Sequence, residues 1–112
     1  MATALPVNVT VEQGSDFIYE HTVKDVNGSA VDLTNYSVVG TFARNFTTDT
    51  KYNFTATIPT PLEGSVTLEL DSVTTAGLKA GRYVYSVFLT DSVSGAVDRE
   101  LEGIVTVTPA VI

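Results

Sequence analysis

The chain has 112 residues, 44% of them hydrophobic, with one histidine, no cysteine and a formal net charge of −7. A chain of this size folds as one domain and buries roughly two-thirds of its unfolded surface, enough for a core without staples. Lack of cysteine excludes disulfides and thiolate metal sites and fits a reducing compartment. Thirteen Asp and Glu against six Lys and Arg argue against nucleic acid as a direct ligand, because phosphate binding needs clustered cations. The acidic excess reads first as solubility and mutual repulsion, and second as docking on a basic partner.

The start, MATALPVNVTVEQG, has neither a basic n-region nor a continuous apolar h-region, so it does not read as a signal peptide. No run reaches the roughly 18 apolar residues a membrane span requires. The chain is expected to be a complete small protein.

Period-2 alternation dominates in chain order. Val7 to Val11 opens as a strand. Phe17 to Lys24 places Phe17, Tyr19, His21 and Val23 on one face and Glu20, Thr22 and Lys24 on the other. Asp25-Val26-Asn27-Gly28 then supplies a turn, since Asn-Gly accepts positive φ. Tyr36 to Arg44 reads as a strand with Val38, Gly40 and Phe42 on one face, and Arg44 to Tyr52 as a polar loop. Asn53 to Ile58 alternates through Phe54, Ala56 and Ile58 and is closed by Pro59 and Pro61, which remove ladder donors. Gly64 to Leu70 alternates through Val66, Leu68 and Leu70. Asp71 to Leu78 breaks the period and starts with capping residues, giving a crossover with a single short helical turn. A final hairpin faces Tyr83, Tyr85, Val87 and Leu89 towards partners among Leu101, Gly103, Val105 and Val107. About seven strands at this spacing predict an all-β, immunoglobulin-like antiparallel sandwich. It is a single domain over 1–112, with an N-terminal arm (1–6) and a C-terminal tail (108–112).

Chemistry is sparse. Catalysis needs a nucleophile, a base or a metal in mutual reach, and His21 is alone, in the inward register of its strand. No Ser sits in a G-x-S-x-G elbow, and neither a phosphate-cradling glycine loop nor a D-x-D-x-D-G calcium loop occurs. Most of the carboxylates fall at turns (Asp25, Asp71, Asp91) or outward strand positions (Glu20, Glu69), where they cap and solubilise. The expectation is therefore no enzyme, no cofactor and no metal. All five asparagines begin N-x-[ST] triplets (Asn8, Asn27, Asn35, Asn45, Asn53), which without a leader are expected to be inert. Most aromatics read as core. Phe46 and Tyr52, at the two ends of the polar loop, are the candidates for partner contact. Val111 and Ile112 join them, as apolar tail residues with no place in a minimal sandwich.

Four stretches in order, LPVNVTVEQG, VDLTNYSV, LKAGRYVYSVFLTD and LEGIVTVTP, carry a resemblance across nearly the whole chain. The marks are Gln13-Gly14, Asp32-Leu33-Thr34, Ala80 to Tyr85, and Leu101-Glu102-Gly103. In these the chain resembles small immunoglobulin-like virion proteins of tailed phages, such as the N-terminal domain of baseplate upper proteins. The loop from Asn45 to Lys51 departs from that pattern. The resemblance implies a non-enzymatic virion component, a capsid decoration (cement) protein or a baseplate or tail part, made in the bacterial host cytoplasm. Its implied partners are capsid or tail and baseplate subunits and further copies of itself in a symmetric array, with no nucleic acid and no membrane. The competing expectation is a carbohydrate-binding sandwich that displays loop aromatics to glycans.

Overall fold

The alternation seen in the sequence becomes two sheets whose inward residues meet in one core. The computed structural model describes residues 5–111. Along the chain run β1 (Leu5–Pro6), β2 (Val9–Glu12), β3 (Phe17–Thr22), β4 (Tyr36–Ala43), β5 (Tyr52–Asn53) and β6 (Thr55–Thr57). Then follow β7 (Ser65–Leu70), the helical turn α1 (Ser72–Ala76), β8 (Gly81–Asp91) and β9 (Val97–Thr108). A 3-10 turn at Pro61–Glu63, not anticipated from the sequence, bridges β6 and β7. The larger sheet runs β1 and β2, β9, β8, β4, β5; the smaller runs β3, β7, β6. The protein is an all-β sandwich with the strand order of an immunoglobulin-like fold.

Three details depart from the expectation. Both β1 and β2 pair with β9 in parallel, so the larger sheet is mixed rather than purely antiparallel. Among the described residues strand segments number nine, because Leu5–Pro6, expected as part of the N-terminal arm, pairs as a strand separated from β2 by a break, and the expected strand Asn53 to Ile58 is broken as well. The first break is at Val7-Asn8. There the Val7 carbonyl lies where a Cβ on Gly103 would sit, and it also accepts the Tyr85 hydroxyl at 2.6 Å. Asn8 Oδ1 accepts the Ile104 N–H at 3.1 Å. Gly103 therefore provides the close backbone approach that a glycine inside a strand implies.

The second break is at Phe54. Tyr52–Asn53 pairs with β4 in the larger sheet, whereas Thr55–Thr57 pairs with β7 in the smaller one. Phe54, at the switch, is buried and packs its ring 4.8 Å from Phe42 and 5.9 Å from Phe17. One residue thus carries the chain from one layer to the other while filling the core.

The hairpin of β8 and β9 forms the centre of the larger sheet, with Tyr83 opposite Val105, Tyr85 opposite Gly103 and Val87 opposite Leu101. Both tyrosines point inward and are buried. The Tyr83 hydroxyl donates to the Lys79 carbonyl four residues upstream at 2.8 Å, a tyrosine-corner bond that fixes the crossover into β8. Burial raises the Tyr83 pKa, against an opposing pull from Arg44, and pushes Tyr85 up to about 12.

Crossovers are held by short polar side chains. Asp71 caps α1 by accepting the Thr74 N–H at 2.8 Å, and the Thr74 bonds lower its pKa. Asp32 does the same towards Thr34 before β4. Gly28 closes the predicted turn with positive φ, its N–H donating to the Asp25 carbonyl at 3.0 Å. Gln13 ties three segments: its Nε2 donates to the Leu78 carbonyl at 2.8 Å, and its Oε1 accepts the Ala110 N–H at 3.1 Å.

Candidate functional site: the outer face of the larger sheet

Inward positions of β4, β8 and β9 are committed to the core, so the opposite positions decide what this sheet offers to the outside. On β8 these are Arg82, Val84, Ser86 and Phe88; their partners on β9 are Thr106, Ile104, Glu102 and Arg99. β4 adds Val39 and Thr41, paired with Phe88 and Ser86. Pro6 of β1, opposite Glu102, extends the surface beyond β9. Val39, Phe88 and Val97 are all exposed large apolar residues on this one face.

The loop 44–51 folds towards this face and carries Phe46 onto it. Asn45 Oδ1 accepts both the N–H and the hydroxyl of Thr47, which closes a tight turn and leaves the intervening ring outward. Phe46 is 83% exposed. It forms the ridge between two shallow depressions. One is lined with Lys51, Val84, Ser86 and Phe88, the other with Pro6, Arg99 and Ile104. Arg99 lies over the Phe88 ring, 5.5 Å from its centroid, and pairs with Glu102 at 3.0 Å. Arg44, at the end of β4, lies 4.8 Å from the Tyr83 ring centroid and donates to the Arg82 carbonyl. Three of the chain's six Lys and Arg (Lys51, Arg82 and Arg99) thus lie on or beside this face.

The four sequence candidates do not converge. Tyr52 is not a free loop aromatic. It begins β5 and stacks on Phe42 at 5.3 Å with its edge towards Tyr83, leaving 37% of it exposed at the rim of the core. Val111 is exposed beyond β9, past the point where Ala110 is tied to Gln13. Ile112 lies outside the described residues. The outward apolar residues of the sheet were missed from the sequence. A signal for them existed: Val38-Val39, Val87-Phe88-Leu89 and Ile104-Val105 put apolar groups on both faces of central strands.

His21 is a satisfied, largely buried histidine, as its lone inward position led us to expect. Its Nε2 lies 2.9 Å from Glu100 Oε2, with both side chains about nine-tenths buried. The two residues come from different sheets. A β-bulge makes the meeting possible: pairing runs Val87 to Leu101 and then Phe88 to Arg99, leaving Glu100 unopposed and turned inward. Among the described residues no group of three or more His, Cys, Asp or Glu is placed to hold a metal ion. No protein-family model matches the chain, and no curated protein matches it significantly.

Proposed function

We propose that this protein is a docking module that joins a larger assembly through the outer face of its larger sheet, with Phe46 as the anchor. The supporting observation is the gathering of exposed apolar side chains on one sheet face, under an outward ring and rimmed by cations. An aromatic anchor amid aliphatic neighbours, with Arg at the margin, has the composition of an interface centre. The resemblance of the AGRYVY and LEGIVTVTP segments to small tailed-phage virion proteins names the assembly: a phage particle, with a role in capsid decoration or in the baseplate or tail. A cryo-EM map of particles carrying the protein tests this. The expected result is sandwich density on the capsid or tail surface with the β4–β8–β9 face turned to a neighbouring subunit. Particles without such density would overturn the reading.

Glycan binding is the second reading, favoured by the exposure of Phe46 in a Thr-rich loop. The tyrosines that would extend a stacking platform, Tyr83 and Tyr85, face the core instead. A glycan array separates the two: retention lost on Phe46→Ala supports the second reading, and an array without hits supports docking.

A further inference from the structure

The two outer faces of the sandwich differ in charge, and each supplies what the other lacks. Strands β3, β6 and β7 contain no Lys or Arg, and Lys24, two residues past the end of β3, is the one cation in their outward register. Their outward side carries Glu20 and Glu69 around Ile18, which is 60% exposed. Asp16 and Asp71 stand at one end of this face, and together with Ile18 and Glu69 they line an open depression. The opposite face presents Phe46 between Lys51 and Arg99, with Arg82 further along β8. Its carboxylates are Glu102, already paired with Arg99, and Asp49 in the loop.

From this we propose that the occupant of the larger sheet's outer face is the smaller sheet's outer face of a second copy of this chain. Phe46 of one copy seats over Ile18 of the next, and Lys51 and Arg99 meet Glu69, Asp16 and Asp71. The inference rests on the docking reading above and names the partner. Two larger-sheet faces meeting each other would bring together their excess of cations, and two smaller-sheet faces their excess of carboxylates, four against the single Lys24; the mixed pairing is the complementary one. Such a contact uses different surfaces on the two copies. Each added copy leaves one face of either kind free, so association continues into a ring or a row rather than stopping at a dimer.

Sedimentation velocity on the full chain, from micromolar up to ~1 mM, tests it. Wild type is expected to show concentration-dependent species larger than a dimer, whereas Phe46→Asp and Glu69→Arg are each expected to sediment as monomers. An equimolar mixture of the two variants should form a heterodimer and nothing larger, because each retains the one face the other has lost. Ile18→Asp is a second variant of the receiving face and should replace Glu69→Arg in the mixture without changing the outcome. Monomeric wild type throughout, or association that survives both Phe46→Asp and Glu69→Arg, would overturn the self-docking. Monomeric wild type whose incorporation into particles still depends on Phe46 would overturn only the self-docking and leave the docking module standing.

Discussion

At the residue scale, the site most sensitive to change is the junction of Val7, Tyr85 and Gly103. Gly103 has a positive φ and its missing Cβ makes room for the Val7 carbonyl. Gly103→Ala forces β1 and β2 away from β9 and is expected to cost about 2–3 kcal/mol in chemical denaturation. Tyr85→Phe keeps the ring but removes the bond to Val7, for about 1 kcal/mol. The same hydroxyl makes stability pH-dependent. Its pKa is raised from 10.0 to about 12 in the folded state, so the fold binds this proton more tightly than the unfolded chain does. The contribution is complete below pH 10.0 and is lost as pH rises through 12. Melting temperature should therefore fall over that interval, and less steeply in Tyr85→Phe. Four of the asparagines in the N-x-[ST] triplets also have structural roles at this scale. Asn8 and Asn45 accept backbone N–H groups, Asn53 accepts the Thr41 hydroxyl, and Asn35 adopts positive φ.

At the element scale, the bulge in β9 is the device that joins the layers. It frees Glu100 to reach His21, so a polar contact spans an otherwise apolar core. Removing His21 takes the one side-chain partner from a largely buried carboxyl group, whereas removing Glu100 leaves a ring whose carbons still pack in the core. His21→Ala should therefore destabilise more than Glu100→Ala, and a double-mutant cycle should give a coupling of about 1–2 kcal/mol. Additive effects would show that the contact contributes nothing of its own. Much of the element pattern was legible: Phe17, Tyr19, His21 and Val23 face inward as their alternation requires. The bulge was not legible, because one extra residue in DRELEG leaves a plausible alternation on either side. Nor was the sheet switch at Phe54, since a period of two continues unbroken from one sheet to the other. Periodicity also carries no strand direction, which is why the parallel pairing of β2 with β9 emerged only in the fold.

At the scale of the whole molecule, the two outer faces of the sandwich are unlike. Phe46 was legible as an aromatic outside any alternating run, but the surface beneath it required knowing which strands become neighbours. Val39, Phe88 and Ile104 lie far apart in sequence and share a face only because β4, β8 and β9 are adjacent. The tail contributes separately. Gln13 fixes its first residues against β2, leaving Val111 outward. If Val111 makes contact in the assembly, deleting residues 109–112 should weaken incorporation into particles, and unchanged incorporation would remove the tail from the docking surface.

The most direct test of the central claim compares two equally exposed apolar residues on different parts of the molecule. Phe46 is 83% exposed on the outer face of the larger sheet, and Val73 is 81% exposed on α1. Surface changes of this kind shift stability by only about 0.5 kcal/mol, so Phe46→Asp and Val73→Asp should fold equally well. Retention of affinity-tagged protein on purified particles should be lost with Phe46→Asp and kept with Val73→Asp. Equal retention of folded Phe46→Asp and wild type would contradict the account.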